Sequence, residues 1–393
     1  MQATTTPSLV SKLPHLGTTI FSKMTKMALD YGAVNLSQGF PDFEVHPDLI
    51  DRVYQAMRQG LNQYAPMAGM LALREQIAQK TAQLYGYAPH PEDEITVTSG
   101  ASEAIFNVVA AVVRPGDEVV ILEPAYDLYR PVVELFGGKV LPVALRSEDF
   151  SVDWPAVARA LRPNTRMLIY NTPHNPSGKI WAPEDLHQLT QLVRDTDILL
   201  ISDEVYEHIV FDGQKHLSVL AYPELRARSF VVFSFGKTFH ATGWRIGYCV
   251  APAALSREFR KVHQYNTFST FTPAQVALAE FLKTEAHYLE LPDFYQARRD
   301  RFRQWLSETP FELLPCEGGY FQIVSYAHLS SESDLDYAER LTREVGVATI
   351  PLSPFYSQGG DTKKIRFCFA KKYETLEAGI ARLHQHRDRL FAP

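Results

Sequence analysis

The stretch ILLISDEVYEH, residues 198–208, runs an apolar segment into two acids and a tyrosine. SFVVFSFGKT, residues 229–238, does the same and ends on Gly236, Lys237 and Thr238. Matching apolar runs occur at 94–99 (EITVTS), 118–122, 167–170 and 246–250. A helix is expected over 102–113, after the first of these. Runs that are apolar on both faces and separated by helical stretches predict a mostly parallel sheet covered on both sides, an α/β fold. In such a sheet ligands bind beyond the carboxyl ends of the strands, so the residues just past each run are the first candidates for chemistry.

The chain has 393 residues, 46% hydrophobic and 21% charged, ordinary for a folded globular protein and against global disorder. Its formal charge is −6, with no basic excess to follow a phosphate backbone, so nucleic-acid binding is not expected. No apolar run is long enough to span a membrane; 104–113 is short and contains Asn107. The three cysteines, Cys249, Cys316 and Cys368, are too few for a disulfide framework and suit a reducing compartment. The opening MQATTTPSLVSKLPHLG lacks the apolar core of a secretory signal and reads as a mobile or docking arm, so cytoplasm is the default location.

From about residue 285 the pattern changes. Helical segments rich in Arg, Glu and Leu surround the short strands GGYFQIV and KKIRFCFA. In the second, Ile365, Phe367 and Phe369 alternate with Arg366, Cys368 and Ala370, a half-buried pattern. The expected division is a large α/β domain over 50–285. A smaller α+β domain combines 286–393 with the N-terminal arm, 1–49.

At the strand ends, Ser99-Gly100-Ala101-Ser102 could receive an anion on backbone N–H groups, although Ser102 alone reads more simply as a helix N-cap. Asp203 could cap a following helix. Lys237 is harder to set aside, because a buried ammonium is costly unless paired or deprotonated. Phe235-Gly236-Lys237-Thr238 resembles the end of a P-loop, and ILLISDE a metal-binding strand. That reading needs glycine where Val231 stands, and the order of the two parts is reversed. The same residues fit a pyridoxal 5'-phosphate enzyme better. Lys237 would form an imine with the aldehyde, Asp203 would face the pyridine nitrogen, and Ser99 to Ser102, Ser234 and Arg245 would hold the phosphate.

The motifs NLSQGFPDF (35–43), NQYAPMAG (62–69), VTSGASEAI (97–105), EPAYDLY (123–129), NTPHNPSG (171–178), SDEVYEH (202–208), SFGKTFHATGWRIGY (234–248) and KKIRFCFAKK (363–372) resemble the fold-type I, class I/II aminotransferases over nearly the whole chain. Within that family, ISDEVYEHI, SFGKTFHATGWRIGYCVAPA, KVHQY and PDFY resemble the bacterial methionine aminotransferases, next to the kynurenine/glutamine group. The resemblance implies a seven-stranded, mostly parallel sheet. It implies ping-pong transfer of an amine from an L-amino acid to a 2-oxo acid, with Lys237 as the imine lysine and proton carrier. Asp203 would salt-bridge the ring nitrogen, Asn175 and Tyr206 would hydrogen-bond the ring hydroxyl, and Tyr126 would stack on the ring. Gly100, Ala101, Ser102, Ser234 and Arg245 would bind the phosphate, joined by Tyr64 from the partner of a homodimer. Arg366 would take the substrate α-carboxylate with a planar fork that lysine lacks, helped by Gly39 and Asn175.

Phe21, Phe40, Phe268 and Phe355 fall in segments that line the substrate pocket of such enzymes. They point to methionine, aromatic or glutamine-like donors, since a second carboxylate would need its own cation. A carbon–sulfur β-lyase acting on cysteine conjugates is the alternative on this fold. No metal site is expected: His384 and His386 read as a solvated helix end. Cys249 and Cys368 read as inert core. Arg298, Arg299, Arg301 and Arg303, with Asp300, read as a solvated helix face.

Overall fold

The computed structural model describes residues 9–391. The first eight residues of the expected arm therefore lie outside the described set, and its described part begins on the exposed Leu9 and Val10. The strands are β1 (Val34–Asn35), β2 (Ile95–Thr98), β3 (Glu118–Glu123), β4 (Lys139–Ala144), β5 (Thr165–Asn171), β6 (Leu199–Asp203), β7 (Ser229–Ser234), β8 (Gly247–Val250), β9 (Glu312–Leu313), β10 (Phe321–Ser325), β11 (Val347–Ala348), β12 (Ile350–Pro351) and β13 (Lys364–Cys368).

Seven of them form one sheet in the order β2-β8-β7-β6-β5-β3-β4, parallel except for β8, which runs antiparallel to both neighbours. The predicted α/β architecture is present. Alternate residues serve its two faces. Val119, Ile121, Met167, Ile169, Ile201, Phe230 and Val232 pack with Ala104, Ile105, Val108 and Val109 of the helix Gly100–Val112. Val120, Leu122, Leu168, Tyr170, Leu200, Val231 and Phe233 belong to the core on the other side, with Ile77 and Leu186. Each fully buried aliphatic side chain there contributes about 1.5–3 kcal/mol.

The topology brings the chemistry-bearing ends together. The parallel strands β5, β6 and β7 finish on Asn171, Asp203 and Ser234. Because β8 is reversed, its first residue Gly247 pairs with both Ser234 and Thr98. Arg245, just before β8, and the helix after β2 therefore open at the same edge. A second, antiparallel sheet runs β12-β13-β10-β9, and β1 pairs in parallel with β11. The Cys368 N–H donates to the Leu36 carbonyl at 2.8 Å, and the chain runs on from there through Ser37, Gly39 and Phe40.

Three readings are corrected. β13 is not half-buried: both its faces are covered, and Arg366 is 1% exposed. The helix after β2 begins at Gly100, so Ser102 lies in its first turn and is not the N-cap. The arginine run is solvated only in part: Asp300 and Arg301 are exposed, but Arg299 is buried, bonded to Asp212, Asp300 and the Cys316 carbonyl, and Arg303 donates to the Leu314 carbonyl.

Candidate active site

A cavity of about 410 Å³ opens between the carboxyl ends of the large sheet and β10 and β13 of the small one. Phe21, Gly39, Phe40, Ala101, Ser102, Tyr126, Asn175, Asp203, Tyr206, Ser234, Lys237, Arg245 and Arg366, all singled out in the sequence, line it. Gln38, Ile105, Asn171, Val205 and Phe321 line it as well. Phe355 stands one layer back, its ring 5.8 Å from Phe21 and edge-on to it. Gly100, buried beside Ala101, does not itself line the cavity. Tyr64 and Phe268 are elsewhere: Tyr64 is 84% exposed and meets the Phe268 ring at 5.5 Å, beside a different cleft.

Lys237 sits in the one-turn helix Phe235–Thr238 that caps β7, and its ammonium donates to the Gly39 carbonyl at 3.2 Å. The same carbonyl accepts from the Tyr320 hydroxyl at 2.7 Å. Burial, then the nearby Arg245 and Arg366 charges, pull the Lys237 amine down to about 8, against the opposing pull of Cys368 and, less, of Asp203.

Asp203 is the last residue of β6. Its Oδ2 accepts from the Tyr129 hydroxyl at 2.6 Å and its Oδ1 from the Val205 N–H at 3.3 Å. No helix follows it to be capped. Burial raises the carboxyl to about 6; Tyr129, Val205 and Lys237 oppose the rise. Tyr129, which sequence reading passed over, is the strongest single contact of this acid. Asn171 was also missed, although it ends β5 as Asp203 ends β6. Its amide donates to the Asp203 carbonyl at 2.7 Å, and its Oδ1 accepts from the Asn175 N–H at 2.6 Å.

Arg366 donates through Nη1 to Asn175 Oδ1 at 2.7 Å and through Nη2 to the Ser37 carbonyl at 3.1 Å, while its buried Nε has no partner. The guanidinium lies 4.0 Å from the Phe321 ring centroid and 5.4–5.5 Å from those of Phe355 and Phe21. Burial lowers it to about 10. Among the described residues no carboxylate lies within ion-pair distance of Lys237, Arg245 or Arg366. At the opposite end, Arg245 has a left-handed backbone (φ 56°) and so does Gly100 (φ 76°). A Cβ on Gly100 would stand 2.7 Å from Arg245 Nη2, so only glycine lets the guanidinium this close to the helix N-terminus.

These features fit pyridoxal 5'-phosphate. The amine is free of any acid, a buried carboxyl is available for a ring nitrogen, and an arginine at a helix N-terminus with Ser102 and Ser234 suits a phosphate. The other uncompensated cation, Arg366, awaits a second anion. No group of three metal-ligating side chains exists among the described residues, and no helix there is long and apolar enough to cross a membrane.

Comparison with known proteins agrees. The family profile described as aminotransferase class I and II matches residues 31–383. The methionine aminotransferase of Escherichia coli is 53% identical, with 95% of this chain and 97% of that protein covered. Kynurenine–oxoglutarate transaminase 1 of Mus musculus is 34% identical, with 92% and 93% covered. A crystal structure from Escherichia coli, reported with a methionine aminotransferase function, superposes with a TM-score of 0.94 at 52% identity, covering 97% of this chain and all of that one.

Proposed function

The chain belongs to the class I and II aminotransferases, enzymes of amino and 2-oxo acids that use pyridoxal 5'-phosphate, and from that premise we propose that its preferred donors are methionine and aromatic or glutamine-like amino acids. The observation that carries the reading is Arg366: a buried guanidinium without an anion, walled by Phe21, Phe321 and Phe355. Lys237, Arg245 and Arg366 are the cations lining the cavity, and each has its own part in the reaction, so a donor's second carboxylate would be desolvated unpaired.

When bound, the cofactor supplies an aldehyde for the amine and a protonated ring that withdraws electrons from the substrate Cα. Arg366 holds the substrate α-carboxylate, and Asn175 fixes the plane of the fork. The Lys237 amine, lowered to about 8 by burial, carries the proton to and from Cα. Asp203 would keep a proton on the ring nitrogen. Tyr206 and Asn175 would hydrogen-bond the ring hydroxyl, and Tyr126 would cover the ring. The N-terminus at Gly100, Ala101 and Ser102, with Ser234 and Arg245, would hold the phosphate. Tyr64 and Phe268, exposed in one chain, complete the partner's site in a homodimer. Three buried, unpaired cysteines suit a reducing cytoplasm.

A donor-by-acceptor activity matrix tests this. Methionine and phenylalanine should exceed aspartate in kcat/KM by about a hundredfold. Aspartate as the best donor would overturn the substrate reading. Pyruvate and thiol released from a cysteine conjugate without an acceptor would mean elimination instead.

A further inference from the structure

Besides Lys237, two lysines are buried among the described residues, Lys80 and Lys371, and the reaction uses neither. Lys80, on the helix Leu71–Tyr85, is 4% exposed. Its ammonium bonds Glu207, lies 3.1 Å from His208 Nε2, and sits among the Phe233, Tyr248 and Tyr288 rings at 5.5–5.9 Å. Glu207 also accepts from the Tyr85 hydroxyl, and from that of Tyr248 at 3.4 Å.

Glu207 and His208 close the segment that Asp203 opens, and that segment is not a regular helix or strand beyond Asp203. Asp203 and Tyr206 face the cavity. Glu204, Glu207 and His208 are buried away from it, with Glu204 bonded to Ser202 and to His216, each at 2.8 Å. The segment's backbone is held by bonds from the Glu204 N–H to the Val232 carbonyl, the Glu207 N–H to the Glu204 carbonyl and the Ile209 N–H to the Tyr206 carbonyl, and the buried side chains add a second set of ties on the face away from the cavity. The rings under Lys80 extend the coupling: Phe233 precedes Ser234 on the strand leading to Lys237, and it stacks on Tyr248 at 4.8 Å. Burial alone would raise the Glu207 carboxyl, but Lys80 and His208 outweigh it and hold it low.

We propose that Lys80 and Glu207 are positioning residues for transamination, clamping the 203–208 segment from behind so that Asp203 and Tyr206 keep their places against the cofactor ring. A fully satisfied buried ion pair fixes one arrangement of the groups around it, whereas an apolar pair would fill the space without specifying the register. The inference rests on the roles proposed for Asp203 and Tyr206.

The test compares Lys80→Met and Lys80→Arg holoenzymes with wild type. Lys80→Met should still take up the cofactor. The pH midpoint of its visible absorption band should move by about half a unit or more, and kcat should fall about tenfold. KM for methionine should stay within about twofold, because Arg366 is untouched. Lys80→Arg should recover most of both. A folded Lys80→Met with the wild-type midpoint and kcat overturns the proposal. If that variant does not fold, Glu207→Gln decides: it keeps the shape of the side chain and removes the charge that pairs with Lys80. A midpoint shifted by about half a unit or more supports the clamp, and a wild-type midpoint overturns it. Failure of wild type itself to bind the cofactor would instead remove the underlying reading of the site.

Discussion

Arg366 Nη1 donates to Asn175 Oδ1 at 2.7 Å, a neutral acceptor, and among the described residues no carboxylate comes within ion-pair distance of this 1%-exposed guanidinium. A buried cation left without an anion destabilises the fold it sits in. The aromatic rings around it recover part of the lost hydration, and the Ser37 carbonyl another part. The remainder is a standing affinity for a carboxylate.

Arg366→Met should therefore separate stability from function. Loss of a desolvated, hydrogen-bonded charge contact costs about 2–5 kcal/mol, so kcat/KM should fall by roughly 30-fold to several thousandfold. The melting temperature of the variant apoprotein should equal or exceed that of wild type, because an unpaired buried charge has gone. Thermal melts beside steady-state kinetics would check both halves. A variant that loses activity because it unfolds would contradict the account.

Gly100→Ala probes the other anion pocket. Alanine at φ 76° costs about 1–2 kcal/mol, and its Cβ would displace the Arg245 guanidinium from 2.7 Å. Affinity for pyridoxal 5'-phosphate should drop about tenfold. Pyridoxal without its phosphate should bind nearly as it does to wild type. Equal losses for the two ligands would show that the glycine serves the helix and not the anion. Titration of the apoprotein with each ligand measures this.

Lys237 and Asp203 were legible because each follows an apolar run, and a parallel sheet makes strand ends converge. The same rule would have reached Asn171, which was left within a quoted motif. β4 gave a weaker signal: it is an edge strand, only partly buried, interrupted by Pro142. Arg366 looked half-exposed because alternation within one strand cannot report what covers the second face. Arg299 looked solvated because its partner Asp212 lies 87 residues away. Tyr129 carried no signal of its own, since a tyrosine in a helix reads as core until the acid it touches is placed. Tyr64 and Phe268 fall outside this chain's cavity.

The apoprotein should carry the opposed shifts of Asp203 and Lys237 in its stability. The Asp203 carboxyl rises from its ordinary 3.8 to about 6, so between those values the folded state binds more protons than the unfolded chain, and stability falls as pH rises. The Lys237 amine drops from 10.5 to about 8, so in that window the unfolded chain binds more protons and stability rises with pH. Urea denaturation of wild type against Asp203→Asn should show the wild type losing ground from pH 4 to 6. Against Lys237→Met it should show the wild type gaining from pH 8 to 10.5. Tyr129→Phe removes a hydrogen bond that favours the ionised acid, so it should carry the Asp203 window to higher pH. Cofactor should shrink that window, because a cationic ring nitrogen favours the carboxylate. Parallel curves for wild type and Asp203→Asn across pH 4–6 would show that this acid is not held in a desolvated site, and its assignment to the ring nitrogen would lose its physical basis.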